Sequence, residues 1–260
     1  KEGVIMSINV KDITIGEGLP KVCVPIVEDN DEAILDKLKE FDQLDVDIIE
    51  LRIDFYKNIL QFDALKNLFL NIAALQIKKP IILTIRTAAE GGEIEIDPKD
   101  YFHVYELGIE SKAFDIYDVE LALGTNMAIE LHTLIHDANK YMLMSAHHFN
   151  RTPEVDSLMQ KFKSMDSLEA DIMKIAVMPE DYHDVLNLLT FTLEAKHEYS
   201  NKPIVTMSMS PLGLTTRLVG EQFGSAITFG CVGKSSAPGQ INYQELNQIL
   251  QLIHKNVQEA

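Results

Sequence analysis

A single lysine interrupts the apolar stretch D-I-M-K-I-A-V-M-P, residues 171–179. If the stretch is a β-strand, Ile172 and Ala176 lie on the same face as Lys174, because side chains alternate between the two faces of a strand. Apolar surroundings disfavour the ammonium form of a lysine, and the neutral amine is a nucleophile that forms an imine with a ketone or an aldehyde. Taken alone, Lys174 also fits a structural residue that is ion-paired or extends its amino group to water.

A histidine ends the preceding predicted strand, Y-M-L-M-S-A-H, residues 141–147, and a second one, His148, follows it. An imidazole titrates near neutral pH and therefore accepts and donates protons readily. Beside an iminium on Lys174, it could take the acidified proton from the adjacent carbon and return it to a leaving group. The two residue types together indicate Schiff-base chemistry with a proton shuttle, and they leave the carbonyl compound open.

Charged residues also fall at the ends of other predicted strands. They are Glu50, Arg52, Asp54, Arg86, Asp118 and Glu120, with Glu90 and Arg217 in the segments that follow strands. Each of them alone fits a structural ion pair or a solvated side chain. Burying so many charges would cost much free energy unless they serve a polar ligand, so their joint pattern predicts one polar basin.

Short β-branched runs alternate along the chain with longer stretches of helical period. The runs are residues 22–27, 46–54, 80–86, 114–121, 141–147, 172–178, 203–209 and 225–232. Such β-then-α units predict an α/β fold, a (β/α)8 TIM barrel with its chemistry at the C-terminal ends of the strands, and an open doubly wound sheet is the alternative. We expect residues 1–260 to form a single domain, in which residues 5–18 make an N-terminal β-hairpin that closes the bottom of the barrel.

The charge balance and the cysteine count restrict the partners. The chain has 40 acidic and 23 basic residues, a formal charge of −17, whereas nucleic-acid binding needs a basic face. Its two cysteines form no CxxC pair, which fits a reducing, cytoplasmic location. No apolar run approaches the roughly 20 residues of a membrane span. We therefore expect a small-molecule substrate, no nucleic acid and no membrane partner.

Cofactor motifs are missing from the sequence. The stretch G-C-V-G-K-S-S, residues 230–236, resembles a phosphate-binding P-loop, but position 228 is Thr where the motif needs its first Gly. There is no GxGxxG fingerprint for a dinucleotide, and the histidines and carboxylates lack the spacing of known metal sites. The motifs therefore indicate neither a dinucleotide nor a known type of metal site.

Several stretches resemble type I 3-dehydroquinate dehydratases, in the order and spacing of that family. They are E-L-R-I-D (50–54), T-I-R-T-A-A-E-G-G (84–92), S-A-H-H-F-N-R-T-P (145–153), D-I-M-K-I-A-V-M-P (171–179), M-S-M-S-P-L-G-L-T-T-R (207–217) and F-G-S-A-I-T-F-G-C-V-G-K-S-S-A-P-G-Q (223–240). The resemblance extends over nearly the whole chain. It implies a lyase that converts 3-dehydroquinate to 3-dehydroshikimate by syn elimination, in the shikimate pathway of aromatic amino acid biosynthesis. Such enzymes need no metal or cofactor and are commonly homodimers.

The resemblance also implies a role for each site residue. Lys174 would form the Schiff base with the C3 ketone. His147 would remove the C2 proton and then protonate the departing C1 hydroxyl, and Glu90 would orient this histidine. The substrate-binding residues would be Glu50 and Arg86 for the ring hydroxyls, Arg52 in support, Arg217 for the carboxylate, and Ser236 and Gln240 on a loop that closes over the ligand.

The sequence departs from the family pattern directly after the expected base. His148 stands where the family usually has Asp, and Met173 stands where Pro is common. Strand alternation puts residues 147 and 148 on opposite faces, and the register of the motif selects His147 as the base. Two rival functions stay open at this point. One is a lysine-imine aldolase or transaldolase, which would grip a phosphate near the last two strands, and the other is a non-catalytic binding protein.

Overall fold

The computed structural model describes residues 7–199 and 201–258. A two-stranded antiparallel hairpin is followed by an eight-stranded parallel sheet. The hairpin strands are β1 (Ile8–Val10) and β2 (Ile13–Ile15). The sheet consists of β3 (Lys21–Ile26), β4 (Ile48–Arg52), β5 (Ile81–Thr84), β6 (Ile116–Glu120), β7 (Tyr141–His148), β8 (Ile172–Val177), β9 (Ile204–Ser208) and β10 (Ile227–Phe229).

Helices connect consecutive strands and pack on the outside of the sheet. They are α1 (Asp31–Phe41), α2 (Phe62–Ala74), α3 (Pro98–Ser111), α4 (Thr125–Asp137), α5 (Val155–Ser167), α6 (Tyr182–Glu194), α7 (Leu214–Leu218), α8 (Gly220–Phe223) and α9 (Tyr243–Gln258). Helix α3 begins as its sequence predicts, because the Asp97 side chain accepts from the Lys99 amide and Pro98 occupies the first turn. Within the described ranges, no helix has the length and apolar character needed to cross a membrane.

The sheet curls into a nearly closed barrel. Its strand order is β10-β3-β4-β5-β6-β7-β8-β9, and a bridge between Ile204 and Ser225 brings the last strand next to the segment that leads into β10. Each of the eight predicted runs overlaps one of these strands. The prediction of a (β/α)8 TIM barrel is therefore confirmed, and the alternative of an open sheet is wrong.

The hairpin covers the N-terminal ends of the barrel strands. Ile8, Val10 and Ile15 are buried in the same apolar cluster as the first inward-facing residues of the barrel. Those inward-facing residues are Cys23, Ile48, Ile82, Ile116, Leu143, Ile172, Val205 and Ile227. The hairpin thus closes the bottom of the barrel as expected, although residues 5 and 6 of the predicted segment 5–18 lie outside the described residues.

Polar side chains begin one inward-facing position further along the strands. The residues of this layer are Glu50, Thr84, Asp118, Ser145 and Lys174, and all of them are buried. Strand pairing sets their positions, because Thr84 pairs with Asp118 and Ser145 pairs with Lys174 in the sheet register. The upper half of the barrel interior is therefore a polar site on an apolar floor.

Candidate active site

A cavity opens at the C-terminal ends of the barrel strands. Most of the residues predicted from the sequence line it together, namely Glu50, Arg52, Arg86, His147, Lys174, Ser236 and Gln240. Apolar side chains complete the wall, including Phe149, Met207, Met209 and Phe229. Glu90 and Arg217 do not line the cavity; each lies directly behind one of its lining residues.

Lys174 projects from β8 into the centre of this cavity and is 5% exposed. Its Nζ lies 3.3 Å from Asp118 Oδ2, 3.8 Å from Glu50 Oε1 and 4.5 Å from the centroid of the Phe229 ring. The surroundings of Lys174 therefore include two carboxylates from other strands in addition to the apolar residues of β8. These carboxylates compensate the cost of burying the amino group. Alternation along a single strand could not reveal these partners.

Asp118 anchors the polar layer and is completely inaccessible to solvent. Its Oδ1 accepts a hydrogen bond of 2.6 Å from the Ser145 hydroxyl, and its Oδ2 accepts one of 2.7 Å from Arg86 Nη2. Burial alone would raise the pKa of Asp118, but the charges of Arg86 and Lys174 and these hydrogen bonds lower the pKa below its ordinary value. The carboxylate therefore stays ionised inside the barrel.

Arg86 holds several carboxylates at once. In addition to Asp118, its Nη1 donates to Glu120 Oε1 and Ser145 Oγ, both at 2.9 Å. The same Nη1 lies 3.6 Å from Glu90 Oε2. A guanidinium has five N–H groups, so part of Arg86 stays available to a ligand in the cavity. Most of it, however, stabilises the carboxylates of the barrel interior.

His147 and Glu90 form a buried pair beside Lys174. The imidazole Nδ1 lies 2.9 Å from Glu90 Oε2, and their side chains are only 8% and 9% exposed. Burial, together with the positive charges of Arg86 and Lys174, lowers the pKa of His147 well below its ordinary value. Burial raises the pKa of Glu90 to about 8, because desolvation and the neighbouring carboxylates outweigh the attraction of Arg86. The two groups therefore titrate as one unit.

The turn that carries Glu90 depends on two glycines. Glu90 ends a short turn of 3-10 helix after β5, and Gly91 follows in the left-handed region at φ 80°. A Cβ on Gly92 would lie 1.9 Å from the carbonyl oxygen of Arg86. Because only glycine fits this close approach, the E-G-G sequence places the Glu90 carboxylate against His147.

Arg52 supports the site from its edge. It forms a bidentate ion pair with Asp54, with Nε to Oδ1 at 2.8 Å and Nη2 to Oδ2 at 2.7 Å. Its Nη1 also lies 3.5 Å from the carbonyl oxygen of Ser236. On the next strand, Thr84 donates to Glu50 Oε1 at 3.0 Å. Arg52 and Thr84 therefore fix neighbouring groups that face the cavity.

Residues 233–240, the lid loop, lie over the mouth of the cavity. The Ser236 amide donates to Gln240 Oε1 at 2.9 Å, and Gln240 Nε2 donates back to Ser236 Oγ at 3.1 Å. The Ser210 amide donates to the Pro238 carbonyl at 3.2 Å, and Lys234 Nζ lies 3.2 Å from Glu28 Oε2. These contacts hold the lid loop down, with Ser236 and Gln240 facing the cavity.

Arg217 is a buried cation with no carboxylate partner in the described part of the chain. It is 1% exposed on α7, and its Nη2 donates to the Pro238 carbonyl at 3.1 Å. Its Nε has no hydrogen-bond partner among the residues described. Burial lowers the pKa of Arg217 to about 10. A buried guanidinium without a carboxylate partner is costly for the free protein, and an anion that reached it would relieve that cost.

His148 points away from the cavity. It does not line the cavity, and its pKa is lowered by partial burial and by the positive charges of Lys161 and Arg151. The structure therefore agrees with the strand register that separates it from His147. In the described ranges, no group of three or more His, Cys or carboxylate side chains is arranged to hold a metal ion.

The family model of type I 3-dehydroquinase matches residues 22–257. This chain belongs to that family. The 3-dehydroquinate dehydratase of Clostridium botulinum is 41% identical to it over 96% of this chain and 98% of that protein. The solved type I 3-dehydroquinate dehydratase of Clostridium difficile is 40% identical and superimposes with a TM-score of 0.93, covering 96% of this chain and 99% of that one. The Enterococcus faecalis enzyme is 37% identical with a TM-score of 0.88, covering 94% and 98%.

Membership in the family confirms the resemblance drawn from the sequence motifs. Sequence reasoning gave no individual role to several polar residues that the structure buries in the barrel interior, although it placed Asp118 and Glu120 in the predicted polar basin. These residues are Thr84, Asp118, Glu120 and Ser145. The available signal was a spacing of two. Thr84 precedes Arg86 by two at the end of β5, Asp118 and Glu120 alternate along β6, and Ser145 precedes His147 by two on β7.

Proposed function

We propose that this protein is a lyase that dehydrates 3-dehydroquinate to 3-dehydroshikimate, in the shikimate pathway, through a Schiff base on Lys174. The observation that carries the proposal is the juxtaposition of a buried lysine amine and a buried His147–Glu90 pair at one cavity. Relatives at 41% and 40% identity, each matched over 96% of this chain, are named 3-dehydroquinate dehydratases. The reaction removes water and requires no redox change.

The covalent step begins at the amino group of Lys174. Its neutral form attacks the C3 ketone, and loss of water from the carbinolamine leaves an iminium that withdraws electrons from C2. Nε2 of His147 then takes a proton from C2, and the electron pair moves into the iminium to give an enamine. The enamine expels the C1 hydroxyl as His147 returns the proton to it, and water hydrolyses the resulting iminium to release the product.

One histidine performs both proton transfers in this scheme. The hydrogen taken from C2 and the hydroxyl lost from C1 therefore leave from the same face of the ring, which gives syn elimination. Glu90 accepts a hydrogen bond from Nδ1, and this leaves Nε2 as the nitrogen that acts on the substrate. Glu90 is thus a positioning residue that acts through His147.

Substrate binding is assigned to the remaining polar residues of the site. Arg217 would hold the carboxylate, with two parallel hydrogen bonds that a lysine could not reproduce. Glu50 and the free part of Arg86 would bind ring hydroxyls. Ser236 and Gln240 would close over the ligand from the lid loop, with Arg52 holding the backbone of Ser236. On the family resemblance we also propose that the chain acts as a single-domain homodimer in the cytoplasm.

The test is borohydride reduction in the presence of 3-dehydroquinate, followed by mass analysis of peptides. We expect a stable adduct on Lys174 in the wild type and none in Lys174→Ala. Lys66→Ala is the matched control, because Lys66 is half-exposed and pairs with Glu110 at the surface, away from the cavity. Failure to form an adduct, together with absence of turnover in the wild type, would refute the proposed function.

A further inference from the structure

We propose that Asp118 is the counterion of the iminium that forms on Lys174, and that it acts as a catalytic residue by stabilising this cation. The inference rests on the proposed function and adds a residue to its mechanism. Asp118 Oδ2 lies 3.3 Å from the nitrogen that becomes part of the iminium. A fixed charge at this distance acts on the reacting atom itself.

The position of Asp118 makes it a permanent neighbour of Lys174. Its side chain is 0% exposed and does not line the cavity, so neither substrate nor water can displace it. Ser145 on β7 and Arg86, two residues after the end of β5, hold its two oxygens. A carboxylate held in this way needs no reorganisation when positive charge forms nearby, which is the condition for effective electrostatic stabilisation.

Arg86 does not fully neutralise Asp118, because it serves other carboxylates. The Nη1 of Arg86 contacts Glu120 at 2.9 Å and lies 3.6 Å from Glu90. One guanidinium is therefore shared among several acidic groups. Arg86 therefore leaves part of the negative charge of Asp118 uncompensated, and this charge acts on Lys174.

Other groups that face Lys174 cannot take this role. Glu50 on β4 lies 3.8 Å away, accepts a hydrogen bond from Thr84 and faces the cavity, where the substrate meets it. His147 on β7 lacks positive or negative charge at neutral pH, since burial lowers its pKa. On β3, burial raises the pKa of the Cys23 thiol well above its ordinary value and keeps it neutral. Phe229 on β10 presents only a ring face.

The charge on the Lys174 nitrogen changes along the reaction. The amine that attacks the ketone is neutral, a positive charge forms when water leaves the carbinolamine, the enamine is neutral again, and the charge returns when the C1 hydroxyl leaves. Only the protonated imine withdraws electrons from C2, so a neutral imine would stall the reaction. Asp118 keeps the imine protonated at pH values where the same imine would be neutral in water.

The pH dependence of borohydride trapping tests this role, because borohydride reduces the protonated imine in preference to the neutral one. The trapping midpoint is the pH at which the yield of reduced adduct is half of its maximum. We expect the midpoint of the wild type with 3-dehydroquinate to lie at a higher pH than that of the imine formed by 3-dehydroquinate and n-butylamine in water. In Asp118→Asn the midpoint should fall by about 1–3 pH units, since an opposite charge at this range shifts a pKa by that amount. Turnover at neutral pH should fall about tenfold or more, with KM little changed.

Glu120→Gln is the matched control, because Glu120 is as buried as Asp118 and also pairs with Arg86. The carboxylates that pair with Lys174 are those of Asp118 and Glu50. Its trapping midpoint should equal that of the wild type. An equal midpoint in Asp118→Asn and wild type, with the adduct on Lys174 in both, would overturn the counterion role and leave the proposed function intact. If Asp118→Asn does not fold, a wild-type midpoint at or below that of the butylamine imine overturns it. No adduct in the wild type would reject the proposed function itself.

Discussion

Glu90 Oε2 lies 2.9 Å from Nδ1 of His147, and in the proposed mechanism this contact decides which imidazole nitrogen acts as the base. When Glu90 is ionised, Nδ1 carries the hydrogen and donates it to the carboxylate, so Nε2 keeps its lone pair. One added proton destroys this arrangement, whether it resides on the carboxyl or on the ring. Because burial raises the pKa of Glu90 to about 8, the pair takes up that proton close to neutral pH.

The pH profile of kcat/KM should therefore have an acid limb set by this pair. The active form is present above a pKa of about 8 and is lost as pH falls through it. In Glu90→Gln only His147 itself titrates, and burial lowers its pKa well below the ordinary value. The acid limb should therefore move to lower pH, and the plateau value of kcat/KM should be smaller. Initial rates can be followed by the ultraviolet absorbance of the conjugated product. An acid limb at the same pH in both proteins would contradict the coupling.

Removal of the imidazole should separate imine formation from elimination. In His147→Ala we expect turnover to fall by about 10²–10⁴-fold, the usual contribution of a positioned acid–base group, while borohydride still traps an adduct on Lys174. His148→Ala is the control, because this neighbouring imidazole does not line the cavity. It should keep near-normal turnover. The opposite result, with His148→Ala inactive and His147→Ala active, would show that the base has been misassigned.

Arg86 should be the main stabilising cation of the barrel interior. Arg86→Met leaves Asp118 and Glu120 buried without their guanidinium, and breaking a buried pair of this kind costs about 3–5 kcal/mol of unfolding free energy. Urea unfolding at neutral pH measures the loss. Lys66→Met removes an exposed pair with Glu110 and should cost about 0–1 kcal/mol.

The cost of Arg86→Met should also depend on pH. Arg86 helps to lower the pKa of Asp118 in the folded protein, so its stabilising effect is present above the unfolded-state pKa and is lost as pH falls through the folded-state value. The difference between wild type and variant should therefore shrink in acid. A difference that stays constant down to acid pH would argue for lost packing instead of lost charge.

The sequence was sufficient for the barrel and for the inward orientation of Lys174 and His147, because both depend on local patterns. Alternation along β8 and β7 turns Lys174 and His147 inward, whatever the other strands do. The partners of Lys174 could not be inferred in this way. Asp118 belongs to a strand more than fifty residues earlier, and the contact depends on the stagger of the closed barrel. By contrast, the partner of Arg52 is Asp54, which lies only two residues further along the chain and could be inferred from the sequence.

Arg217 and Arg86 are both buried, yet their replacement should have opposite effects. Arg86 pairs with several carboxylates, whereas Arg217 has no carboxylate partner among the residues described and its pKa is lowered to about 10 by burial. Removing an unpaired buried charge relieves a desolvation cost, so Arg217→Met should unfold at the same or a higher urea concentration than the wild type.

Function should respond to Arg217→Met in the opposite direction. Loss of charge-assisted hydrogen bonds to the substrate carboxylate is expected to raise KM about 10- to 150-fold. Arg217→Lys should recover only part of this, because an ammonium cannot form the bidentate contact. Urea unfolding and initial-rate kinetics on the same preparations measure both effects. A strongly destabilised Arg217→Met with unchanged KM would show that Arg217 supports the fold and that another group binds the carboxylate.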